Sequence, residues 1–438
     1  MPAPVTVLGG GLAGCEAAWQ IARRGVDVRL VEMRPLVMTG AHTTDSLAEV
    51  VCSNSFGADR GRERPSAGGI LKDELALGGS LILACAEESR VPAGGALAVD
   101  REQFSRLVSE RITATPNITL IRQEARAIPE GPAVIATGPL TSAPLAEALS
   151  EALGRDYVAF FDAVAPIVTR ESIDMTKAWM AGRYGRGGDY INCPMTKEQY
   201  LAFHGELVRA ERALPHDFER GQYFEGCMPI EVLAERGVDT MRFGPLRPVG
   251  LEGPDGVRPW AVVQLRQDNA EGTLFNLVGF QTSLRWPEQR RVFSMIPGLE
   301  EAEFVRLGVM HRNTSVNAPA VLDRWLRPTP VGRGDLFLAG QITGVEGYME
   351  STAMGLAAGL HAACTVLGRP LPLWPEETAM GSLMRYLRTT EPDHFQPMNA
   401  NLGIFPPLEA RIRDKKLRAA AHRERALAAA GAFWAGLE

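Results

Sequence analysis

The sequence predicts an α/β protein in which a Rossmann-like nucleotide-binding domain is built from two separate segments, with a mixed α/β domain inserted between them. Three observations predict it. Residues 5–32 run strand, glycine-rich turn, helix, strand and acid, in that order. From about residue 160 to residue 300 this texture gives way to short strand-like runs broken by Gly and Pro. The last third regains it, with an apolar strand ending in glycine and then a long helix of small residues. A chain of 438 residues has room for two or three domains. The expected bounds are 1–160 for the first segment, 161–300 for the insertion and 301–438 for the second segment.

Each element has its own signal. Val5-Thr6-Val7-Leu8 is an apolar run of the kind that forms a buried parallel strand. Ala17, Ala18, Ile21 and Ala22 follow the turn at helical spacing, Gly25 stops that helix, and Val26–Val31 reads as a second strand ending at Glu32. Residues 69–90 and 101–114 have helical periodicity, and Val134-Ile135-Ala136-Thr137-Gly138 is another buried strand. Trp260–Leu265 and Leu274–Val278 are among the short strands of the insertion. Leu336–Gln341 is the late strand, Ser351–Leu367 the small-residue helix, and the last 28 residues read as helical, basic between Arg411 and Arg425.

The turn carries the chemistry. In Gly9-Gly10-Gly11-Leu12-Ala13-Gly14 the first glycine of the G-x-G-x-x-G spacing permits the tight turn, the second lets backbone approach a pyrophosphate, and the third lets helix and strand pack closely. Backbone N–H groups and the helix dipole then hold the phosphates, and Glu32 stands where an acid accepts from an adenosine ribose. Without that context the motif would be an ordinary Gly-rich turn. Two later segments select FAD over NAD. Ala136-Thr137-Gly138 matches the ATG segment of two-segment FAD folds, and Asp335–Gln341 matches their second flavin strand, with Gly340 and Gln341 at its end where an Asp is usual. No second glycine motif opens onto an apolar helix, so NAD(P)H is expected to reduce the flavin in transit rather than occupy a domain of its own.

Composition bounds the alternatives. Hydrophobic residues make up 45% and charged residues 22%, and no apolar run reaches membrane-spanning length. The N-terminus lacks a basic region before its apolar run, so the expected compartment is the cytoplasm. A net charge of −6 gives no global attraction to nucleic acid, so RNA binding needs a local basic patch. Arg411–Arg418 is such a patch, although solvated surface is the usual role of such runs. Arg183, Tyr184, Arg186 and Tyr190 read either as the lining of a folate or phosphate pocket or as a plain polar loop. The His and Cys residues show no metal spacing.

Of the six cysteines, Cys15, Cys85 and Cys364 sit in apolar or small-residue helical contexts and read as core; Cys193, in Asn192-Cys193-Pro194, reads as part of an ordered turn. Cys52 lies in a polar loop, Val51-Cys52-Ser53-Asn54-Ser55. Cys227 lies before Pro229, which suits the first turn of a helix running to about Ala234, a place where a thiolate is favoured. Pattern alone leaves both open between structural and catalytic roles.

Taken together, these residues resemble the folate- and FAD-dependent tRNA (uracil-5-)-methyltransferases that make T-loop ribothymidine. The resemblance covers nearly the whole chain, through Gly9–Gly14, Ala41-His42-Thr43-Thr44, Val51–Ser55, Tyr190–Met195, Phe243-Gly244-Pro245-Leu246, Gly340–Tyr348 and Pro397–Asn401, and most specifically through Phe224–Glu231. It implies methylenetetrahydrofolate as carbon donor, NAD(P)H as reductant, tRNA (T arm) as partner and tetrahydrofolate as product. It also implies that Cys227 adds to uracil C6 while Cys52 is the second thiol, or the reverse, since sequence cannot fix the geometry. A wobble-uridine modification enzyme, a generic FAD oxidoreductase and a flavin-bound RNA-binding protein remain alternatives; the first carries a longer C-terminal helical domain.

Overall fold

The computed structural model describes residues 2–154, 157–163, 165–185, 187–213, 228–269, 271–308 and 310–437. The chain opens with β1 (Val5–Leu8), α1 (Leu12–Ala22) and β2 (Val28–Glu32), and a long loop then leads to β3 (Ser55–Ala58). The helical stretch expected over residues 69–90 is two helices, α2 (Ala67–Leu77) and α3 (Leu81–Glu88). They part at Gly78–Gly79, where Gly79 takes φ +62° and the Ser80 hydroxyl accepts from Leu83 N to cap α3. Next come β4 (Arg90–Val91), β5 (Ala96–Val99), α4 (Arg101–Thr113), capped by Asp100, β6 (Ile118–Arg122), β7 (Ala133–Ile135) and α5 (Ala143–Leu153).

The chain leaves this unit along β8 (Tyr157–Ala163). It then forms β9 (Ile167–Thr169), β10 (Trp179–Met180), β11 (Tyr190–Met195), α6 (Lys197–Arg209), α7 (Ile230–Glu235), α8 (Thr240–Phe243), β12 (Ala261–Gln267), β13 (Leu274–Leu277), α9 (Trp286–Phe293) and β14 (Phe304–Arg306). It returns along β15 (Met310–Val316), antiparallel to β8. There follow α10 (Ala318–Val321), β16 (Leu336–Leu338), α11 (Tyr348–Val366), α12 (Ala379–Thr389) and α13 (Lys415–Ala435).

Two sheets organise these elements. The first has the order β16-β7-β1-β2-β6 with every pair parallel. β16 therefore rejoins β7 from the far end of the chain, which is the two-segment fold. Its strands are buried runs such as Leu336-Phe337-Leu338, as parallel strands covered on both faces require. α11 closes against α1 through small residues: a Cβ on Gly355 would lie 2.3 Å from Ala13 O and one on Gly359 2.7 Å from Ala17 O, so only glycine permits the approach.

The second sheet has the order β10-β11-β12-β13-β9-β14 and its pairs are antiparallel. Period-two alternation divides its faces. Ile191, Cys193, Met195, Val263, Leu265, Phe275, Leu277 and Val168 enter a core of their own with α6, α7 and α9. Tyr190, Asn192, Gln264, Arg266 and Asn276 lie on the other face. Cys193 thus sits in a strand rather than a turn, and burial pushes its thiol up to about 12. Pro194 fits there because β10 pairs only with Ile191 and Asn192, so no ladder bond is lost.

Candidate functional site

The cleft at the C-terminal ends of the parallel strands has an empty volume of about 1020 Å³ including its open mouth. Gly9, Gly11, Leu12, Ala13, Glu32, Thr137, Gly138, Gly340 and Gln341 all line it. Gly10 and Gly14 do not; they shape the backbone. Gly9 has φ +96°, and a Cβ there would meet Ala136 O at 2.6 Å. A Cβ on Gly14 would come 1.8 Å from Gly9 O. Gly11 differs, because a Cβ there would meet nothing within 4 Å and would point into free space. α1 begins at this point with no side-chain cap, which leaves its first N–H groups directed at the cleft. Open room beside an uncapped helix N-terminus is what a dinucleotide pyrophosphate fits.

Glu32 has a double task. Its Oε2 accepts from Gly10 N at 2.8 Å, and its Oε1 from Arg34 N at 2.9 Å and Arg34 Nε at 3.0 Å. Burial opposes its charge, but Arg34 and the two backbone donors outweigh that and hold the carboxyl below its usual range. A carboxylate offers about four lone-pair sites, so one on Oε2 remains for a ribose hydroxyl. Arg34 also pairs with Glu49 at 3.1 Å, and Glu49 gathers Thr43 and Thr44 through their N–H and hydroxyl groups. This folds the Ala41–Thr44 segment over the cleft, with His42 in its wall. At the other end the Gln341 amide donates to Glu346 at 2.9 Å.

Cys52 stands beside this cleft, between Val51, which lines it, and Ser53. The Tyr348 ring is part of the cleft wall, and its hydroxyl accepts from Cys52 N at 3.0 Å and Ser53 N at 3.2 Å. Burial, and then the neighbouring Cys52 thiol, push the Tyr348 phenol up, so it stays protonated. The polar face of the second sheet holds the same loop from the opposite side. Arg266 donates to Ser53 Oγ at 2.6 Å and Asn54 Oδ1 at 3.0 Å. Asn54 Nδ2 reaches Gln267 O at 2.8 Å. Arg101 pairs with Asp268 at 2.9 Å and donates to Val50 O at 2.6 Å. Burial works against the Arg101 charge, but Asp268, with Tyr348 and Cys52, more than offsets it.

Cys227, the other expected thiol, lies outside the described residues; Pro229, which is described, immediately precedes α7. Cys15, Cys85 and Cys364 are buried. Arg186 also lies outside the described residues. Arg183 is held by Gln264 Oε1 at 3.0 Å and Val249 O at 2.8 Å, and Tyr190 donates to Ala93 O at 3.2 Å, so this segment ties the second sheet to the turn between β4 and β5. The basic C-terminal segment is less free than its charge suggests. Arg423 pairs with Asp73, Arg425 donates to the Pro406 and Pro407 carbonyls, and Lys416 pairs with Glu63. α13 begins only at Lys415, so Arg411 and Arg413 precede the helix. Arg411, Arg413, Lys415 and Arg418 are exposed and without an ion pair among the described residues.

Sequence reasoning missed Arg34, Tyr348, Arg101, Asp268 and Arg266 as parts of the site. For Arg266 and Asp268 a signal existed, since Arg266 alternates with Val263 and Leu265 along β12 and Asp268 follows directly on its end. For Tyr348 and Arg101 there was none, because their partners are 296 and 167 residues away. Among the described residues no group of His, Cys, Asp and Glu is placed to hold a metal, and no helix is long and apolar enough to cross a membrane.

Comparison with known proteins agrees over most of the chain. The family model described as glucose inhibited division protein A matches residues 4–370. A protein of Anoxybacillus flavithermus named methylenetetrahydrofolate–tRNA-(uracil-5-)-methyltransferase TrmFO is 55% identical over 427 residues, 97% of each chain. Proteins of the same name from Pelotomaculum thermopropionicum and Bacillus subtilis are 57% and 53% identical, the first over 94% of each chain and the second over 97%. The crystal structure of Aquifex aeolicus GidA (form I) superimposes with a TM-score of 0.70 over 98% of this chain and 76% of that one, at 17% identity, which is a likeness of fold.

Proposed function

Because the chain belongs to the methylenetetrahydrofolate–tRNA-(uracil-5-)-methyltransferase family, within the wider glucose inhibited division protein A group, we propose that it methylates C5 of a tRNA uridine with methylenetetrahydrofolate as carbon donor. The uridine is that of the T loop, and the work is done in the cytoplasm. Gly11, Leu12 and Ala13 would hold the pyrophosphate of FAD, Glu32 its adenosine ribose, and Gly340 and Gln341 its ribityl end, all of which line the cleft. Bound there, FAD supplies the redox chemistry that takes the folate-borne carbon to the methyl level, with NAD(P)H as the external reductant.

The observation that carries this reading is the Cys52 loop. A thiol is pinned through its own backbone to Tyr348, a wall of the nucleotide cleft, and the same loop is clamped by a second domain. Uracil C5 is a poor nucleophile until a thiolate adds at C6 and makes it enolate-like. A base must then take the C5 proton. Cys227 is assigned the addition and Cys52 the proton.

The test is nucleoside analysis of tRNA lacking the T-loop methyl group after incubation with enzyme, methylenetetrahydrofolate and NAD(P)H. 5-Methyluridine is expected from the wild type and none from Cys227→Ala or Cys52→Ala, both retaining FAD. With 5-fluorouridine tRNA a covalent adduct is expected to form in Cys52→Ala but not in Cys227→Ala; the opposite pattern exchanges the two roles. Wild-type methylation by both variants excludes the two-thiol reading.

A further inference from the structure

Among the described residues three that are not glycine take a positive φ: Ala48, Leu326 and Tyr184. A bulky L residue is rarely found there and is held at a cost. Ala48 and Leu326 are buried, so core packing accounts for their conformation. Tyr184 has φ +58° and is 64% exposed, so core packing does not account for it. The turn that carries it is nonetheless fixed. Tyr184 N donates to Gly250 O at 2.8 Å, Arg183 Nη1 to Val249 O at 2.8 Å and Arg183 Nε to Gln264 Oε1 at 3.0 Å. The ring packs on Gly250, where a Cβ would come within 2.8 Å of it. Strained backbone, three hydrogen bonds and a glycine together hold one aromatic ring at the surface.

The segment that receives this turn has the same character. From the end of α8 it runs Phe243-Gly244-Pro245-Leu246-Arg247-Pro248-Val249-Gly250. Leu246 and Pro248 are buried and anchor it, while Phe243 is 80% exposed and Arg247 is exposed. The Arg247 side chain has no hydrogen bond or ion pair among the described residues, and both acceptors that hold Arg183 are neutral oxygens. The strip is therefore positive as well as aromatic. It is also tied to the thiol loop. Gln264, which fixes Arg183, lies on β12 two residues before Arg266, and Arg266 holds Ser53 and Asn54. Strand residues two apart share a face and stand about 7 Å from each other. The Tyr184 turn and the Cys52 loop thus hang from neighbouring places on one polar face.

We propose that Tyr184, Phe243 and Arg247 form a second RNA-contact surface, on which unpaired nucleotides next to the target uridine stack. This rests on the function proposed above. A uracil attacked at C6 has to leave its stack, and the bases beside it lose a neighbour as it goes. Single-stranded RNA is held by stacking its splayed bases on aromatic rings, with guanidiniums at the phosphates. Two exposed rings, with a cation between them in the chain, supply those contacts beside the thiol loop. The folate fits less well, because small ligands occupy concave sites that bury most of their surface. The exposed basic residues around the start of α13 belong to the first domain, so this contact is separate from any made there.

The experiment uses holoenzyme and full-length tRNA lacking the T-loop methyl group, with 2-aminopurine in place of the base next to the target uridine. Tyr184→Leu removes the ring at similar bulk, and Tyr184→Phe restores it without the hydroxyl; Phe243→Leu and Arg247→Gln are made in parallel. FAD content and melting temperature are recorded for each. With wild-type enzyme the fluorescence should stay low on binding, because the displaced base is stacked again. With Tyr184→Leu it should rise, and tRNA affinity should fall by about 10-fold, the loss appearing in KM for tRNA and not in kcat or in KM for methylenetetrahydrofolate. Tyr184→Phe should recover the affinity. Phe243→Leu should weaken binding in the same way, and Arg247→Gln should lower the salt slope of log affinity by about 0.7, as for one single-stranded phosphate. Wild-type affinity in both Tyr184 variants overturns the proposal. Equal loss in both also overturns it, in favour of a contact by the hydroxyl. A raised KM for the folate with unchanged tRNA affinity overturns it in favour of a folate contact. Should Tyr184→Leu fail to fold, Phe243→Leu and Arg247→Gln decide the matter by the same measurements. A wild type that binds this tRNA without methylating it overturns the functional reading and leaves the stacking surface standing; one that does not bind it overturns both.

Discussion

Replacing Tyr348 by Phe tests whether the thiol is held from the cleft wall. The ring remains, 5.3 Å from Phe56 between centroids, so the cleft keeps its shape. The hydroxyl is removed, and with it the acceptor for Cys52 N and Ser53 N. A buried N–H left without a partner costs about 1–3 kcal/mol. Two would cost up to about 6 kcal/mol, but both residues are half-exposed and water can reach part of the gap, so a destabilisation of about 2 kcal/mol is expected. The functional effect should be larger, because a reacting group displaced by roughly 1 Å can cost about 100-fold in rate. The assay is single-turnover methylation with saturating folate, alongside FAD absorbance and thermal melting. FAD content should stay full, melting should fall by a few degrees, and methyl transfer should fall by about two orders of magnitude. Wild-type melting together with a wild-type rate would refute the idea that this hydroxyl positions Cys52.

Gly11→Val should give a folded, colourless protein, since its side chain enters free space where the pyrophosphate belongs. Gly14→Ala should fail to fold, since its Cβ would come 1.8 Å from Gly9 O; full FAD occupancy in Gly11→Val would refute the cleft assignment. Replacing Arg413, Lys415 and Arg418 with Ala should reduce the salt slope of log tRNA affinity by about one for each phosphate that is no longer neutralised. The same change at Arg423, already paired with Asp73, should act on stability instead. Burial pushes His361 down to about 4 from 6.5, against hydrogen bonds to the Pro372 and Trp325 carbonyls that favour its charged form. With its folded-state pKa depressed, its stabilising contribution is full above pH 6.5 and disappears as pH falls toward 4, by about 3 kcal/mol. Denaturant titrations from pH 4 to 7 should show a shallower decline in His361→Gln.

What was legible in the sequence was local. The turn at Gly9–Gly14 and the acid at Glu32 carry their chemistry within 24 residues, and the structure puts them on one cleft. The strand at Leu336 was legible because a buried parallel strand needs an unbroken apolar run. The break at Gly78–Gly79 went unread because the apolar periodicity resumes beyond it, while the Ser80 cap restarts the helix. The Asn192-Cys193-Pro194 strand went unread because Pro signals a turn unless the strand lacks a neighbour on that side, and that is a fact of tertiary pairing. The surroundings of Cys52 were illegible for the same reason: Tyr348, Arg266 and Asp268 reach it across hundreds of residues, and no local pattern records such distances. A register shift within β14 is the sharpest case, since the alternation of Phe304 and Arg306 points both to one face and the observed register, Phe304 with Val168 but Arg306 with Ile167, does not.

Asn54 shows how the two domains share one task. It is fully buried and uses its whole hydrogen-bonding capacity. Oδ1 accepts from Arg266 Nε at 3.0 Å and Asn276 Nδ2 at 3.1 Å, and Nδ2 donates to Val99 O at 3.0 Å and Gln267 O at 2.8 Å. Two donors and two acceptors on so short a side chain belong to asparagine alone; Asp has no donor when ionised, and Gln places the same amide one carbon further out. Three of the four partners, Arg266, Asn276 and Gln267, come from the second sheet, and the fourth, Val99, comes from the first domain. Asn54 therefore keeps its place only when both domains are docked, and Cys52, two residues away, inherits that requirement. Arg266 and Asp268 lie one and three residues beyond Leu265, which is sealed in the inserted domain's core, so their positions are as fixed as that core. The apolar side of one sheet thus supplies the rigidity, its polar side carries it across the interface, and a loop with little structure of its own presents a thiol at a defined place beside the nucleotide cleft.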